Sequence, residues 1–322
     1  EIDYIVMIPR NIFLDVDTGV DDALALLLAA RSPNLNIKGV TCVSGNVPVD
    51  LVVRNTLDVL EVAGASHVPV ARGMVVPLRE TMVNAAEIHG KNGLGGIEIA
   101  QSASEPLSVH AVEFLRRELT DVSEPITIVA LGPLTNIATL IRAYPEVASK
   151  IDEIVVMGGA IGPGNVTPTA EFNIRQDPEA ADIVFGSGIP ILLYIWDVFI
   201  KVAFVRSEIE SFSNSSNNSV ALAGNLLMSM LDRFGRPKTS IGDAGAVACI
   251  LNPSAITTKQ LPVAVELSGK YTRGQTVVDQ RPPDLADLEE GDLQVVMPNT
   301  IRVVVDVDVN GLRDTFVEHL GK

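Results

Sequence analysis

The chain has few cysteines, few basic residues and no long apolar run. Its 322 residues include 2 cysteines, too few for a disulfide scaffold, and Cys42 and Cys249 lie in apolar stretches typical of free core thiols in a reducing compartment. Acidic residues outnumber basic ones by 40 to 24, which argues against nucleic acid as a partner because little could neutralise its phosphates. No segment reaches the ~18 apolar residues of a membrane span, and residues 1–10 lack a secretory signal pattern. We therefore expect a cytoplasmic protein without a membrane partner.

Continuous apolar runs alternate with segments of helical periodicity. The predicted strands are 12–14, 37–43, 126–131, 154–157 and 191–195, and the predicted helices are 22–31, 51–63, 109–119, 134–143 and 178–185. Uninterrupted apolarity is typical of strands that are covered on both faces, as in a mainly parallel sheet. The order predicts an α/β fold with a doubly wound, mainly parallel central sheet, and no linker-like composition divides residues 1–322, so we expect a single domain.

Beyond residue 200 the pattern is less regular. Residues 211–219 are polar and turn-prone, which predicts a mobile loop, and residues 222–234 have helical periodicity. We expect this part of the chain, around residues 206–242, to flank the functional site. A further helix is predicted at 244–251, with strands at 263–267, 276–278 and 301–307.

Four carboxylates follow the first predicted strand, at Asp15, Asp17, Asp21 and Asp22. Like charges crowded at a strand end destabilise the fold unless a cation or a proton neutralises them. Asp17, Asp21 and Asp22 are the first candidates for a metal site, and Asp243 is the fourth because it also precedes a helix. Oxygen ligands without a cysteine or histidine cluster favour Ca²⁺ or Mg²⁺ over zinc. One such Asp could instead cap a helix, but capping does not require four.

Other polar clusters fall at the same predicted sheet edge, where ligands of doubly wound sheets bind. Asn165, Glu171 and Asn173 supply the amide and carboxylate groups that a polyhydroxylated ligand requires, although a loop rich in Asn and Pro is also a common turn. The main-chain carbonyl of Leu131 is a possible Ca²⁺ ligand. His89 lies in a glycine-rich loop whose backbone could approach a ligand closely. A structural role for this histidine is equally open.

Seven short motifs, in this order, make the chain similar to nucleoside hydrolases of the inosine-uridine preferring type. They are DVDTGVDDA at 15–23, SGN at 44–46, HG at 89–90 with GLGG at 93–96, GPLTN at 132–136, MGG at 157–159, the 165–173 cluster with DPEAA at 177–181, and GDA at 242–244.

The resemblance implies a Ca²⁺-dependent enzyme that hydrolyses the N-glycosidic bond of ribonucleosides. It implies Asp17 as general base, nucleosides as substrates in purine or pyrimidine salvage, and a homodimer or homotetramer. The implied metal ligands are Asp17, Asp22, the Leu131 carbonyl and Asp243. The implied substrate contacts are Asp21, Asn46, Met157, Asn165, Glu171, Phe172 and Asn173, to which we add His89.

The chain departs from the inosine-uridine group at Gly242. That group has a histidine there, which assists the departing base, and a histidine placed at 242 is therefore expected to raise turnover on poor leaving groups. His89, Arg233 and Phe234 are the nearest alternatives for contacts to the base, whereas Trp196, the single tryptophan, is expected in the core.

Two other functions remain open from the sequence. The 15–19 motif also resembles the start of haloacid dehalogenase-like phosphatases, which would use Asp15 as nucleophile with Mg²⁺. A ribose- or nucleoside-binding protein that has lost catalysis is the other alternative. Ribose release, phosphate release or binding without turnover distinguishes the three.

Overall fold

A computed structural model describes residues 8–282 and 299–322. Within these ranges the strands form one nine-stranded sheet and one two-stranded sheet. The strands are β1 (Arg10–Val16), β2 (Leu35–Cys42), β3 (Val70–Arg72), β4 (Ile126–Ala130), β5 (Ile151–Met157), β6 (Ile191–Tyr194), β7 (Ala203–Val205), β8 (Lys238–Ser240), β9 (Ile256–Val265), β10 (Thr276–Val278) and β11 (Asn299–Val307).

The large sheet has the order β10-β9-β11-β6-β5-β4-β1-β2-β3. The strands from β11 to β3 pair in parallel, whereas β9 pairs antiparallel with both β11 and β10. From β1 the chain proceeds to β2 and β3 on one side, then crosses to β4, β5 and β6 on the other. The loops that leave β1 and β4 therefore diverge, which opens a crevice at the carboxyl edge of the sheet.

Helices cover the sheet and connect its parallel strands. They are α1 (Val20–Arg31), α2 (Val49–Val62), α3 (Ala86–His89), α4 (Ala111–Asp121), α5 (Thr135–Ala143), α6 (Phe172–Gln176), α7 (Pro178–Phe185), α8 (Trp196–Phe199), α9 (Arg206–Ser213), α10 (Asn218–Phe234), α11 (Ala244–Leu251) and α12 (Val309–Leu320). Two short 3₁₀ helices span Pro145–Lys150 and Pro253–Ala255. None of the helices in the described ranges combines the length and apolarity that a bilayer crossing requires.

Helix α1 forms the centre of the core on one face of the sheet. Residues 22–29 are all buried, because α1 packs against the helices α2, α10, α11 and α12 that surround it. At its start the Asp22 carboxylate accepts a hydrogen bond from the Gly19 N–H at 2.9 Å. This bond satisfies one of the free N–H groups of the first turn, and it fixes Asp22 at the sheet edge.

The α/β fold and its mainly parallel sheet are confirmed, as are the strands and helices predicted before residue 200. One segment differs, because Ser211, Phe212 and Ser213 belong to α9 and not to a loop. Only residues 214–217 separate α9 from α10, and Asn217 caps α10 by accepting from the Ser219 N–H at 3.0 Å. Apolar packing of Phe212 on Phe204, with ring centroids 5.2 Å apart, favours the helix over the polar pattern. The mobility of this region stays a prediction.

Candidate active site

Asp17 follows β1 at the crevice and is enclosed by two loops. Its Oδ2 accepts a hydrogen bond from the Asn46 N–H at 2.7 Å. Gly45 after β2 and Gly132 after β4 approach it from either side, and a Cβ on Gly132 would lie 2.9 Å from Asp17 Oδ1. A Cβ on Gly45 would also overlap the Asp17 carboxylate. Both glycines are therefore required for the loops to close around this carboxylate.

Three carboxylates form the most compact acidic group of the crevice. One oxygen from each of Asp21, Asp22 and Asp243 lies within 4.8 Å of the others. Asp21 and Asp22 come from the first turn of α1, and Asp243 immediately precedes α11. The positive ends of two helix dipoles therefore face this group and favour its negative charge. Asp17 borders the group, and its N–H donates to Asp22 Oδ1 at 3.1 Å.

The acids repel one another in a buried environment. Burial raises the pKa of Asp17 and of Asp243 well above the usual range, and neighbouring carboxylates raise both further. Burial, followed by the charge of Asp21, raises the pKa of Asp22 to about 7. Among the described residues, Asp17 Oδ1 and Asp21 Oδ1 are buried and accept no hydrogen bond. Oxygen-only donors with unpaired buried atoms fit a divalent cation such as Ca²⁺ or Mg²⁺.

Asp15 does not join this group, contrary to the expectation that all four early acids crowd together. Its Oδ1 accepts from the Thr41 hydroxyl at 2.5 Å and from Asn136 Nδ2 at 2.8 Å. Complete burial raises the pKa of Asp15 to about 7. Asp15 thus links β1 to β2 and to α5 beneath the site, because it lies within a strand while the other three follow the strand end.

The predicted sugar-binding side chains lie on the loop after β5 and on α6. Asn173 Nδ2 donates to the Leu131 carbonyl at 2.6 Å and to the Met157 carbonyl at 3.1 Å. These two bonds join the ends of β4 and β5 and leave Asn173 Oδ1 as an acceptor. The exposed Asn165 accepts from the N–H of the half-buried Phe172 at 2.8 Å. The structure therefore brings Leu131, Met157 and Asn173 into one cluster.

Glu171 combines a structural and a possible binding role. Its carboxylate caps α6 by accepting from the Asn173 N–H at 2.9 Å and the Ile174 N–H at 3.2 Å, and it also accepts from the Gly159 N–H at 3.0 Å. These hydrogen bonds lower the pKa of Glu171, but burial has the larger effect and raises it to about 7. The capping bonds hold this carboxylate on the loop side of the crevice.

His89 is buried and lies beside the acidic group. Its Nδ1 accepts a hydrogen bond from the Val20 N–H at 3.1 Å and lies 3.7 Å from Asp21 Oδ1. Burial lowers the pKa of His89, which favours the neutral ring, and because Nδ1 accepts from Val20, the proton of the neutral ring is on Nε2. His89 therefore caps α1 with one nitrogen and presents an N–H donor with the other. Asn46 is nearby and donates through Nδ2 to Asp22 Oδ2 at 3.1 Å.

The backbone at Gly242 argues against the expected benefit of a histidine there. Gly242 has φ +60°, which side chains rarely adopt. A Cβ at this position would overlap the Asp21 Cβ and would lie 3.2 Å from Phe199 Cζ. Phe199 packs on Trp196 with ring centroids 4.7 Å apart, and Trp196 is only partly buried. Phe199, which packs on Trp196, therefore lies beside the space that a side chain at 242 would enter.

Of the other two candidates for base contacts, Arg233 lies close to His89 and donates to the Glu87 carbonyl at 3.3 Å. Phe234 is exposed and lies under the Arg236 guanidinium, 4.9 Å from the ring centroid. Phe199 was not predicted as a site residue. Its position on α8, the short helix that follows β6, was the only available signal, because the proximity to residue 242 joins distant parts of the chain.

Comparison with known proteins identifies one family. The family model described as inosine-uridine preferring nucleoside hydrolase matches residues 12–314. The pyrimidine-specific ribonucleoside hydrolase RihA of Citrobacter koseri is 39% identical over 314 residues, which cover 96% of this chain and 97% of that protein. RihA of an Escherichia coli O127:H6 strain is 40% identical with the same coverage.

Solved structures show the same similarity. A plant nucleoside hydrolase superposes with a TM-score of 0.89 at 29% identity and covers 97% of this chain and 99% of that one. A purine-preferring ribonucleoside hydrolase from Gardnerella vaginalis has a TM-score of 0.86 at 30% identity, with coverage of 97% and 98%. These matches favour the hydrolase over the phosphatase that the first acidic motif also allowed.

Proposed function

Because this chain belongs to the inosine-uridine preferring nucleoside hydrolase family, we propose that it hydrolyses pyrimidine ribonucleosides with the help of a bound Ca²⁺. Its general activity is that of a ribonucleoside hydrolase. The finer proposal depends on one observation, the close group of Asp21, Asp22 and Asp243 beside the unpaired Oδ1 of Asp17. The pyrimidine preference is supported by the names of the RihA relatives.

We assign the metal ligands to Asp17, Asp22, Asp243 and the Leu131 carbonyl, and the compact acidic group adds Asp21 as a direct neighbour. When bound, Ca²⁺ supplies a water of lowered pKa and a contact for the ribose hydroxyls. The Leu131 carbonyl already accepts from Asn173, but a carbonyl oxygen has a second lone pair for another contact.

Asp17 is the proposed general base. Its Oδ2 is held by the Asn46 N–H, so Oδ1 is the atom that takes the proton of the attacking water. The surrounding carboxylates favour the positive charge that develops on the ribose as the glycosidic bond breaks. Closure of the crevice by Gly45 and Gly132 keeps the carboxylate in one orientation.

The amide groups are arranged to bind ribose hydroxyls. Asn46 and Asn173 both use Nδ2 within the protein, so each presents Oδ1 as an acceptor. Glu171 and Asn165 bind the sugar from the loop after β5, on the same side as Asn173, while Met157 and Phe172 form the apolar contact. Asp21 also accepts hydrogen bonds from the ribose hydroxyls. Binding energy on the sugar then aligns the glycosidic carbon with the water.

His89 is the proposed donor to the departing base. Its Nε2–H is available because Nδ1 already accepts from Val20, and burial lowers the pKa of His89, which favours the neutral ring. Near Gly242, an apolar contact comes from Phe199, which packs on Trp196, and residue 242 itself supplies no donor.

The assay compares uridine, cytidine, inosine and adenosine, each with and without a chelator. We expect release of ribose and free base, faster from the pyrimidine nucleosides, with loss of activity in chelator and recovery with Ca²⁺. Recovery with Mg²⁺ alone would reject the Ca²⁺ assignment, and faster purine cleavage would reject the base preference. Binding of ribose without turnover would support the degenerate protein.

The proposal extends to a cytoplasmic homodimer or homotetramer in nucleoside salvage, on the basis of the family resemblance. Sedimentation equilibrium of the purified chain tests the assembly, and a monomer at micromolar concentration would reject it.

A further inference from the structure

An ion cluster lies outside the acidic group and connects segments that are far apart in the chain. We define the rim cluster as Glu80, Arg175, Glu179 and Arg273. Arg175 donates to Glu80 Oε2 at 2.8 Å, and Arg273 donates to Glu80 Oε1 at 2.6 Å and to Glu179 Oε2 at 2.8 Å. The Arg273 side chain is only 16% exposed and that of Glu179 19%. The Arg273–Glu179 pair is therefore better shielded from water than a typical surface pair, whereas Glu80 is 37% exposed and Arg175 33%.

The cluster joins the two sides of the proposed nucleoside site. Glu80 lies on the segment between β3 and α3, and α3 ends with His89. Arg175 lies on α6, two residues beyond Asn173. Arg273 lies in the turn between β9 and β10 and also donates to the Leu267 carbonyl of that turn. The cluster thus fixes the segment that leads to His89 against the helix that carries Asn173.

Neighbouring hydrogen bonds connect the same two segments, the chain before α3 and the chain at α6. Gln176 exchanges two hydrogen bonds with the backbone of Val83, with its Oε1 accepting at 3.3 Å and its Nε2 donating at 2.5 Å. Asp177 Oδ2 accepts from the Leu78 N–H at 2.9 Å. Three consecutive residues, 175 to 177, therefore hold residues 78–83, a segment without helix or strand of its own.

The turn that carries Arg273 also contacts the sugar-binding loop. The Thr169 hydroxyl donates to the Tyr271 carbonyl at 3.2 Å. Gly274 lies against α6, where a Cβ would be 2.7 Å from the Arg175 Cα. Arg273 is thus held close to α6 by the backbone of its own turn, and its guanidinium reaches both Glu80 and Glu179.

We propose that Glu80 and Arg273 are positioning residues, which set the distance between the His89 side and the Asn173 side of the bound nucleoside. This inference rests on the proposed function. The cluster touches none of Asp17, Asp22 or Asp243 in the described structure. Loss of the cluster should therefore weaken substrate binding and misplace the His89 donor, while proton transfer to Asp17 continues.

The test compares Glu80→Gln with Glu113→Gln. Glu113 on α4 also binds two arginines, Arg116 and Arg117, at 2.6 Å each, but it is remote in sequence from the site loops and contacts none of them through these bonds. Both variants remove one carboxylate charge with little change in shape. We expect Glu80→Gln to raise KM for the nucleoside on the order of 10-fold. Its kcat should fall on nucleosides, which need the His89 donor, but should stay within about twofold of wild type on a riboside with a p-nitrophenolate leaving group. Glu113→Gln should leave KM unchanged.

Amide hydrogen exchange supplies a readout that does not depend on turnover. Glu80→Gln should accelerate exchange in residues 78–89 and 172–176, and Glu113→Gln should not. Arg273→Lys, which keeps the charge but loses the paired contacts, serves if Glu80→Gln fails to fold, and it should show the same shifts.

Unchanged KM and unchanged exchange in a folded Glu80→Gln or Arg273→Lys protein would overturn the proposal. If the wild-type protein cleaves no nucleoside, the proposed function fails, but the exchange measurement still decides whether the cluster positions these segments.

Discussion

Introducing a side chain at position 242 should destabilise the protein by a mechanism that a matched control can isolate. Gly242 has φ +60°, and an added Cβ would overlap the Asp21 Cβ and lie 3.2 Å from Phe199 Cζ. Gly235 has nearly the same backbone, with φ +58°, but an added Cβ would meet nothing within 4 Å. Gly242→Ala and Gly235→Ala therefore share the backbone penalty and differ in the steric one.

The magnitudes separate the two effects. A non-glycine residue in the left-handed region costs about 1–2 kcal/mol, which applies to both variants. Overpacking of a filled region adds about 1–3 kcal/mol, and this applies only at Gly242. We expect Gly242→Ala to lower the free energy of unfolding by about 2–5 kcal/mol in total. The difference between the two variants, about 1–3 kcal/mol, is the contribution of the contacts with Asp21 and Phe199.

Urea unfolding with and without Ca²⁺ measures both quantities. An unchanged slope of unfolding free energy against urea concentration would show that the variants differ in stability and not in the surface exposed on unfolding. Because the displaced residue is Asp21, Gly242→Ala should also weaken Ca²⁺ binding, whereas Gly235→Ala should not. If Gly242→Ala is no less stable than Gly235→Ala and binds Ca²⁺ as wild type, the steric argument is wrong. Gly242→His would then again be a reasonable way to raise turnover.

Other perturbations test the assigned chemistry. Asp17→Asn should reduce kcat on the order of 10³-fold, since it removes the general base, and activity near wild type in a ribose-release assay would exclude Asp17. His89→Gln should reduce kcat/KM on the order of 10²-fold for nucleosides, but much less for a riboside with a p-nitrophenolate leaving group, and equal losses would argue for a structural role. In chelator, the free energy of unfolding should fall as pH rises from about 4 to about 7, because folded Asp22, with its pKa raised from 3.8 to about 7, keeps a proton that the unfolded chain releases. Stabilisation by Ca²⁺, measured as the shift in Tm, should grow over the same interval, and a pH-independent shift would contradict ion binding at these acids.

Local patterns in the sequence were sufficient for most strands of the large sheet. The strands β1, β2, β4, β5 and β6 were predictable because strands covered on both faces require continuous apolar runs. The helix of residues 211–213 was missed, since its stability comes from packing of Phe212 on Phe204. The short strands β3, β7 and β8 were also missed, because their sequences, VAR, AFV and KTS, are not β-branched apolar runs like the TVV of β10.

Residue types and their positions at strand ends determined by themselves that this chain is an α/β protein with an acidic site at the edge of a mainly parallel sheet. Only the tertiary structure decided which acids meet: Asp21 joins Asp22 and Asp243, while Asp15 pairs with Thr41 and Asn136. It also decided that position 242 has no room for a side chain. The physical reason is distance along the chain, because such contacts depend on how loops that are far apart in sequence fold against each other.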